Sequence, residues 1–171
     1  MNAIPRNPIV DTGPLFDFLL WRFSDFSKTP TLLCKLRYLT NDPRKEAVKW
    51  YFTKAKPITT CPEVIAEIHR HAEDRLRAPH LGNFWRLAQT ELTELGLNEK
   101  LVELVQMDRD TLSYFGPTDT ALFQLVSSSH SPSQPIFTVD ANLAGQCRKK
   151  QVRVLGIDEV LSIWQQFGTQ Q

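Results

Sequence analysis

Short apolar runs bounded by turn residues alternate along the chain with longer segments whose apolar positions recur at helical spacing. Ile9 and Val10, set between Asn7-Pro8 and Thr12-Gly13-Pro14, predict a buried strand over residues 8–11. Thr12 or Gly13 can cap the next helix, with Pro14 pre-set for its first turn. Leu15, Phe16, Phe18, Leu19 and Phe23 give that helix a broad apolar face. Leu32, Leu33, Leu36 and Leu39 predict a further short helix. Residues 44–54 predict another, with Ala47, Val48, Tyr51 and Phe52 inward. A second strand is expected over residues 57–60, followed by a helix from Pro62 that buries Val64, Ile65, Ile68 and Ala72.

The middle of the chain is less regular. Residues 78–97 predict a helix with Phe84, Trp85, Leu87, Ala88 and Leu92 as core contacts, and residues 101–107 a third strand or a short helix. Residues 110–115 read as a helical turn closed by Gly116-Pro117, after which Thr118 is expected to cap a helix burying Ala121, Leu122, Leu125 and Val126. A Ser- and Pro-rich loop over 127–134 leads to the clearest central strand, 135–139. A helix over 142–150, a strand over 152–155 and a last helix carrying Val160, Leu161, Ile163 and Trp164 complete the pattern. Strands alternating with helices predict an α/β fold with a parallel sheet. There is no internal repeat and no linker, so residues 1–171 read as a single domain.

Four acidic residues stand at the edges of these apolar segments: Asp11, Glu67, Asp119 and Asp140. A carboxylate beside a hydrophobic run costs desolvation energy unless a cation or hydrogen-bond donors meet it. Asp11 and Asp140 fall at the carboxyl ends of predicted strands, where open parallel sheets form their sites. Each acid also has a plainer reading. Asp11 could cap a helix, Asp140 could serve a turn, and Asp119 could answer the dipole of a helix's first turn. Glu67 competes with Glu63, four residues earlier on the same helix face. If the acids meet, a hard divalent cation such as Mg²⁺ is the simplest compensation, and it would activate water against a phosphodiester. The sequence has no GxSxG nucleophile motif and no GxxxxGK[ST] phosphate loop.

Composition narrows the class only partly. A chain of 171 residues that is 42% hydrophobic and 23% charged suits a globular domain with a sizeable core. Cys34, Cys61 and Cys147 form no CxxC pair, which suits a reducing cytoplasm and argues against a zinc site. Residues 1–8 lack the pattern of a signal peptide, and the longest apolar stretch, 15–23, is too short to span a bilayer. The net charge of +1 leaves nucleic-acid binding open, because an acidic centre can cancel a basic rim. His69, Arg70, His71, Arg75, Arg77 and His80 follow Glu67, and Arg148, Lys149, Lys150 and Arg153 follow Asp140. These clusters could meet a phosphate backbone, with Arg70, Arg148 and Lys149 as candidate substrate contacts, or simply be solvated helix faces. His69 and His71, two apart, point in different directions on a helix and make a poor joint metal site. Phe16, Phe18, Trp21 and Phe23 are chiefly core residues, although an exposed pair among them would mark an interface.

In this order and spacing, Ile9-Val10-Asp11-Thr12-Gly13-Pro14-Leu15, Val64-Ile65-Ala66-Glu67 after Thr59-Thr60, Thr118-Asp119-Thr120-Ala121-Leu122 and Thr138-Val139-Asp140-Ala141-Asn142-Leu143 resemble the PIN-domain family. Val152-Arg153-Val154-Leu155 continues the pattern, which is similar to the VapC-type toxin ribonucleases of toxin–antitoxin pairs. The resemblance implies a three-layer α/β/α sandwich around a parallel sheet of about five strands and Mg²⁺- or Mn²⁺-dependent hydrolysis of RNA. It makes Asp11, Glu67, Asp119 and Asp140 the metal-binding and catalytic quartet, with Thr12 and Thr138 supporting the ligands and Asn142 as a further neighbour. It also implies an antitoxin protein and a second copy of the chain as partners, in the cytoplasm. The chain exceeds a minimal toxin of this type around residues 24–54 and 75–96, which bears on the toxin reading more than on the nuclease reading. The competing expectation is a PIN-like module that binds RNA or protein without cutting. A phosphatase using Asp11 as nucleophile would need a second acid where Gly13 stands.

Overall fold

A computed structural model describes residues 4–27, 43–103, 107, 109–128 and 134–168. Five parallel strands form one sheet in the order β3-β2-β1-β4-β5. They are β1 (Ile9–Val10), β2 (Thr59–Thr60), β3 (Asn98–Glu99), β4 (Ile136–Phe137) and β5 (Val154–Leu155). Between and after them run α1 (Thr12–Ser27), α2 (Pro43–Ala55), α3 (Pro62–Arg75), α4 (Ala78–Glu94), α5 (Arg109–Phe115), α6 (Pro117–Ser128), α7 (Ala141–Lys149) and α8 (Ile157–Phe167). The chain is thus an α/β protein with an all-parallel sheet, as its alternating pattern predicts.

The strands are short, and the three central ones are thoroughly enclosed. Both residues of β1, β2 and β4 are buried. Neighbouring strand residues point to opposite faces, so these strands have cover on both sides, as a parallel sheet requires. α2 packs on α8, α6 packs on α7 and against β1, and the whole is consistent with a three-layer α/β/α sandwich. Aromatic side chains tie the layers together. Phe137 of β4 meets Tyr51 edge-on at 5.6 Å and Phe52 at 5.8 Å between ring centres, and Phe52 meets Phe18 of α1 at 4.7 Å. The Tyr51 hydroxyl donates to the Pro5 carbonyl, so its one polar atom is satisfied inside the core. Arg22 of α1 pairs with the buried Glu91 of α4 at 2.7 Å.

Several sequence expectations need correction. The third strand is Asn98–Glu99, both exposed; of the expected segment 101–107, residues 101–103 are not strand, Leu101 is solvent-exposed, and 104–106 lie outside the described residues. The pairing of β3 with β2 is made by backbone alone, for instance Lys100 N–H to the Thr60 carbonyl, so no apolar run announces it. Val139 lies beyond β4 and is exposed. Trp85, Leu87 and Leu92 pack against the core only partly buried. Phe16, Phe18, Trp21 and Phe23 are all buried, so no exposed pair among them offers a dimer surface. The expected helix through Leu32, Leu33, Leu36 and Leu39 lies outside the described residues, as does Cys34. Among the described residues no helix is long and apolar enough to cross a membrane.

The aromatic contacts around Phe137 carry an energetic consequence. Truncating this fully buried ring to alanine should cost about 3–5 kcal/mol, measured as a fall in the urea midpoint at unchanged slope.

Candidate functional site

The sheet order sets the site's location. From β1 the chain moves outward to β2 and β3, then returns to place β4 on the other side of β1. That reversal creates a crevice at the carboxyl ends of β1 and β4, where parallel sheets bind ligands. Asp11 follows β1 immediately, and Asp140 follows β4 after Thr138 and Val139. Gly13 allows the two turns to meet closely, because a Cβ there would stand 2.7 Å from Val139 Cγ2. Glu67 enters from the second turn of α3 and Asp119 from the first turn of α6. All four acids line one cavity of about 390 Å³, together with Thr12, Gly13, His71, Phe115, Pro117, Thr118 and Val139.

Threonine hydroxyls hold the carboxylates in place. Thr138, buried between Asp11 and Asp140, donates to Asp11 Oδ2 at 2.6 Å and accepts the Asp140 backbone N–H at 2.9 Å. The Thr12 backbone N–H donates to Asp11 Oδ1, while the Thr12 hydroxyl donates to Glu67 Oε2 at 2.8 Å. The Thr118 hydroxyl donates to Glu67 Oε1, also at 2.8 Å. Asp140 caps α7 by accepting the Leu143 N–H at 2.7 Å. Three helix N-termini, those of α1, α6 and α7, therefore point their positive ends at one acidic cavity.

Those donors do not fully offset the clustering of charge. Burial pushes the Asp11 carboxyl above its ordinary range despite the Thr138 and Thr12 bonds, and Glu67 and Asp140 push it the same way. Asp119 is pushed up to about 7, by burial first and then by Asp11, Asp140 and Glu67, with no hydrogen bond from a described residue to hold it down. The acids evidently share one electrostatic environment.

Of the two competing glutamates, Glu67 lines the cavity and Glu63 does not. Thr118 was expected to cap α6; instead the helix begins at Pro117 after Gly116, whose φ of +82° turns the chain, and the hydroxyl clamps Glu67. Asn142 is exposed in the first turn of α7 and lies off the cavity wall. The three cations expected to meet substrate do not line the cavity. Arg70 is exposed on α3 and absent from the cavity lining. Arg148 and Lys149 occupy the last turn of α7, about 12 Å along the helix from Asp140. There they complement the negative end of the helix dipole. His69 faces Trp85 and Glu73, whereas His71, one turn beyond Glu67, lines the cavity. Thr118, expected as a cap, His71, expected only within a basic cluster, and Phe115, expected only in a helical turn, line the cavity without having been named as site residues. The i,i+4 spacing of Glu67 and His71 is the one sequence signal that could have singled out any of them. A larger concavity of about 560 Å³ beside Trp85, Gln89, Leu92 and Leu97 contains no ionisable side chain, so size does not select the site.

The donor set is made of carboxylate and hydroxyl oxygens, which suit a hard divalent cation. Among the described residues no three His, Cys, Asp or Glu side chains are grouped so as to hold an ion directly. From the described residues Asp11 and Glu67 accept one hydrogen bond on each oxygen, and a carboxylate oxygen has a second lone pair for an ion's water. The residues therefore fit a cation that keeps much of its hydration shell, as Mg²⁺ does. The chain matches no family model, no curated protein and no solved structure.

Two outcomes follow from this geometry. Native Asp119 keeps its proton to higher pH than the unfolded chain, so stability falls as pH rises from its ordinary 3.8 to about 7. Asp119→Asn removes that loss. Its melting temperature should exceed the parent's above pH 7 by about 2–4 °C in EDTA, a figure discounted for the side chain's partial exposure. The advantage should shrink towards pH 4 in a thermal-unfolding series. Thr138→Val keeps the shape but strands the Asp140 N–H and one Asp11 oxygen, costing on the order of 1–3 kcal/mol by urea unfolding. Thr138→Ser should recover most of it.

Proposed function

We propose that this chain is a metal-dependent endoribonuclease that hydrolyses RNA phosphodiester bonds at the four-acid cavity with Mg²⁺ or Mn²⁺. One observation carries the reading. Acids from four separated segments, Asp11, Glu67, Asp119 and Asp140, line one cavity at the switch point of a parallel sheet. An acidic cluster this costly to leave uncompensated is what a cation site needs, and the motif resemblance to PIN-domain ribonucleases points to the same chemistry.

When bound, the cation would lower the pKa of a water and shield charge on the scissile phosphate. The chain's own residues would do the rest. Thr138 and the Thr12 amide fix the Asp11 carboxylate, and Thr12 and Thr118 fix Glu67 from both sides. Such fixed acceptors need little reorganisation when an ion and substrate arrive. Asp119 lacks that clamping, and its carboxyl is pushed up to about 7, which suits it to exchanging a proton with water near neutral pH.

RNA cleavage should require Mg²⁺ or Mn²⁺, stop on EDTA addition and fall by at least ~100-fold in both Asp11→Asn and Asp140→Asn. A gel-based panel of RNA substrates with and without Mn²⁺ tests this. Cleavage undiminished by either substitution would sink the assignment. Tight RNA binding without metal-stimulated cleavage would instead favour a silent binding module.

A further inference from the structure

The acidic cavity has an apolar mouth. Of the large hydrophobic side chains exposed among the described residues, Val139 lines the cavity and Tyr114 adjoins it through Phe115. Phe115 also lines the cavity, at the end of α5, and Tyr114 is 75% exposed. Their rings meet edge to face, 4.7 Å between centres, so Tyr114 braces Phe115 and extends its surface. No side chain of α5 is buried, so this short helix contributes little to the core, yet it presents two adjacent aromatics at the mouth. Gly116 and Pro117 then turn the chain directly into α6, which carries Thr118 and Asp119. The aromatic pair is therefore fixed within a few residues of the acids.

On the far side of α1's start, His71 forms another part of the wall, its ring 5.6 Å from Phe16. Arg75, one turn further along α3, lies over the same Phe16 ring at 5.1 Å. Glu67, His71 and Arg75 thus share one helix face, with an acid inside the cavity and nitrogen donors running outward. A ligand matching this mouth has a flat apolar part next to an anionic part. An unpaired nucleotide has both; a base locked in a duplex cannot offer its face.

Resting on the ribonuclease reading, we propose that Phe115, braced by Tyr114, is a stacking platform for one unpaired base of the substrate, and that it positions the adjoining phosphate over the acids. Phe115 and Tyr114 are positioning residues in this scheme. Stacking platforms tolerate any base because every base has a π face, so the platform would select unpaired structure more than sequence.

Steady-state cleavage of a single-stranded oligoribonucleotide of about ten nucleotides in Mn²⁺, scanned with single abasic replacements, tests the platform. Tyr114→Ala and Phe115→Leu should each raise KM by about 5- to 10-fold and leave kcat within about twofold. For the parent protein, one abasic position should raise KM by a similar factor. That same replacement should add nothing further in Phe115→Leu, because the lost base and the lost ring are one interaction. Thermal unfolding of both variants separates a folding loss from a binding loss, and the exposed Tyr114 variant should melt as the parent does. Unchanged KM in Tyr114→Ala and Phe115→Leu, or abasic and ring effects that add, would overturn the platform while leaving the nuclease intact. A parent protein that cuts no RNA overturns the ribonuclease reading and the platform together.

Discussion

Like charge brought together inside a protein is the constraint around which this structure is arranged. Asp11 is buried and Asp119 half-buried; Glu67 and Asp140 raise the cost of ionising Asp11, and Asp11, Asp140 and Glu67 raise that of Asp119. Two features of the fold reduce that cost without eliminating it. The parallel sheet sends helices away from the same edge, so the N-termini of α1, α6 and α7 face the acids. Threonines supply short hydrogen bonds to Asp11 and Glu67. An antiparallel sheet of the same strands would not set all its strand ends at one edge.

The remainder of the chain secures that edge from behind. β1 is central, with β2 and β4 as its neighbours, so Asp11 rests on a strand enclosed on both sides. The Phe18, Phe52, Phe137 and Tyr51 cluster joins α1, α2 and β4 and so holds the strands carrying Asp11 and Asp140 in register. Val139 resting over Gly13 joins the same two segments at the surface. Core packing and site geometry are therefore linked through β1 and β4, and damage to the first should be felt at the second.

Legibility in the sequence followed the physical origin of each feature. β1 and β4 could be read because an enclosed strand needs an apolar β-rich run, and turn residues mark where it stops. The acids were visible for the complementary reason that they interrupt such runs. β3 was misplaced because an exposed edge strand depends on backbone pairing, which leaves no side-chain pattern. Thr118 looked like a cap, since a threonine before a helical run ordinarily is one. Its actual partner, Glu67, is 51 positions away and belongs to a contact no local pattern contains. Arg148 and Lys149 show the converse, that closeness in sequence need not bring side chains to the cavity. Arg148 and Lys149 are near Asp140 in sequence, but a helix carries them along its axis to the other end of α7.

The same distinction separates what the four acids share from what they do not. Asp11 and Glu67 are clamped, with donors on both oxygens. Asp140 is held at one oxygen by the helix it caps. Among the described residues, Asp119 meets only the dipole of α6 and the repulsion of its neighbours. Clamped groups hold their position when a ligand arrives or leaves, whereas an unclamped one changes its charge. Placing three restrained acids around one that titrates near neutrality makes Asp119 the member whose protonation should respond most to anything cationic entering the cavity. The arrangement thus divides geometric and electrostatic work among residues of nearly identical chemistry, by neighbours alone.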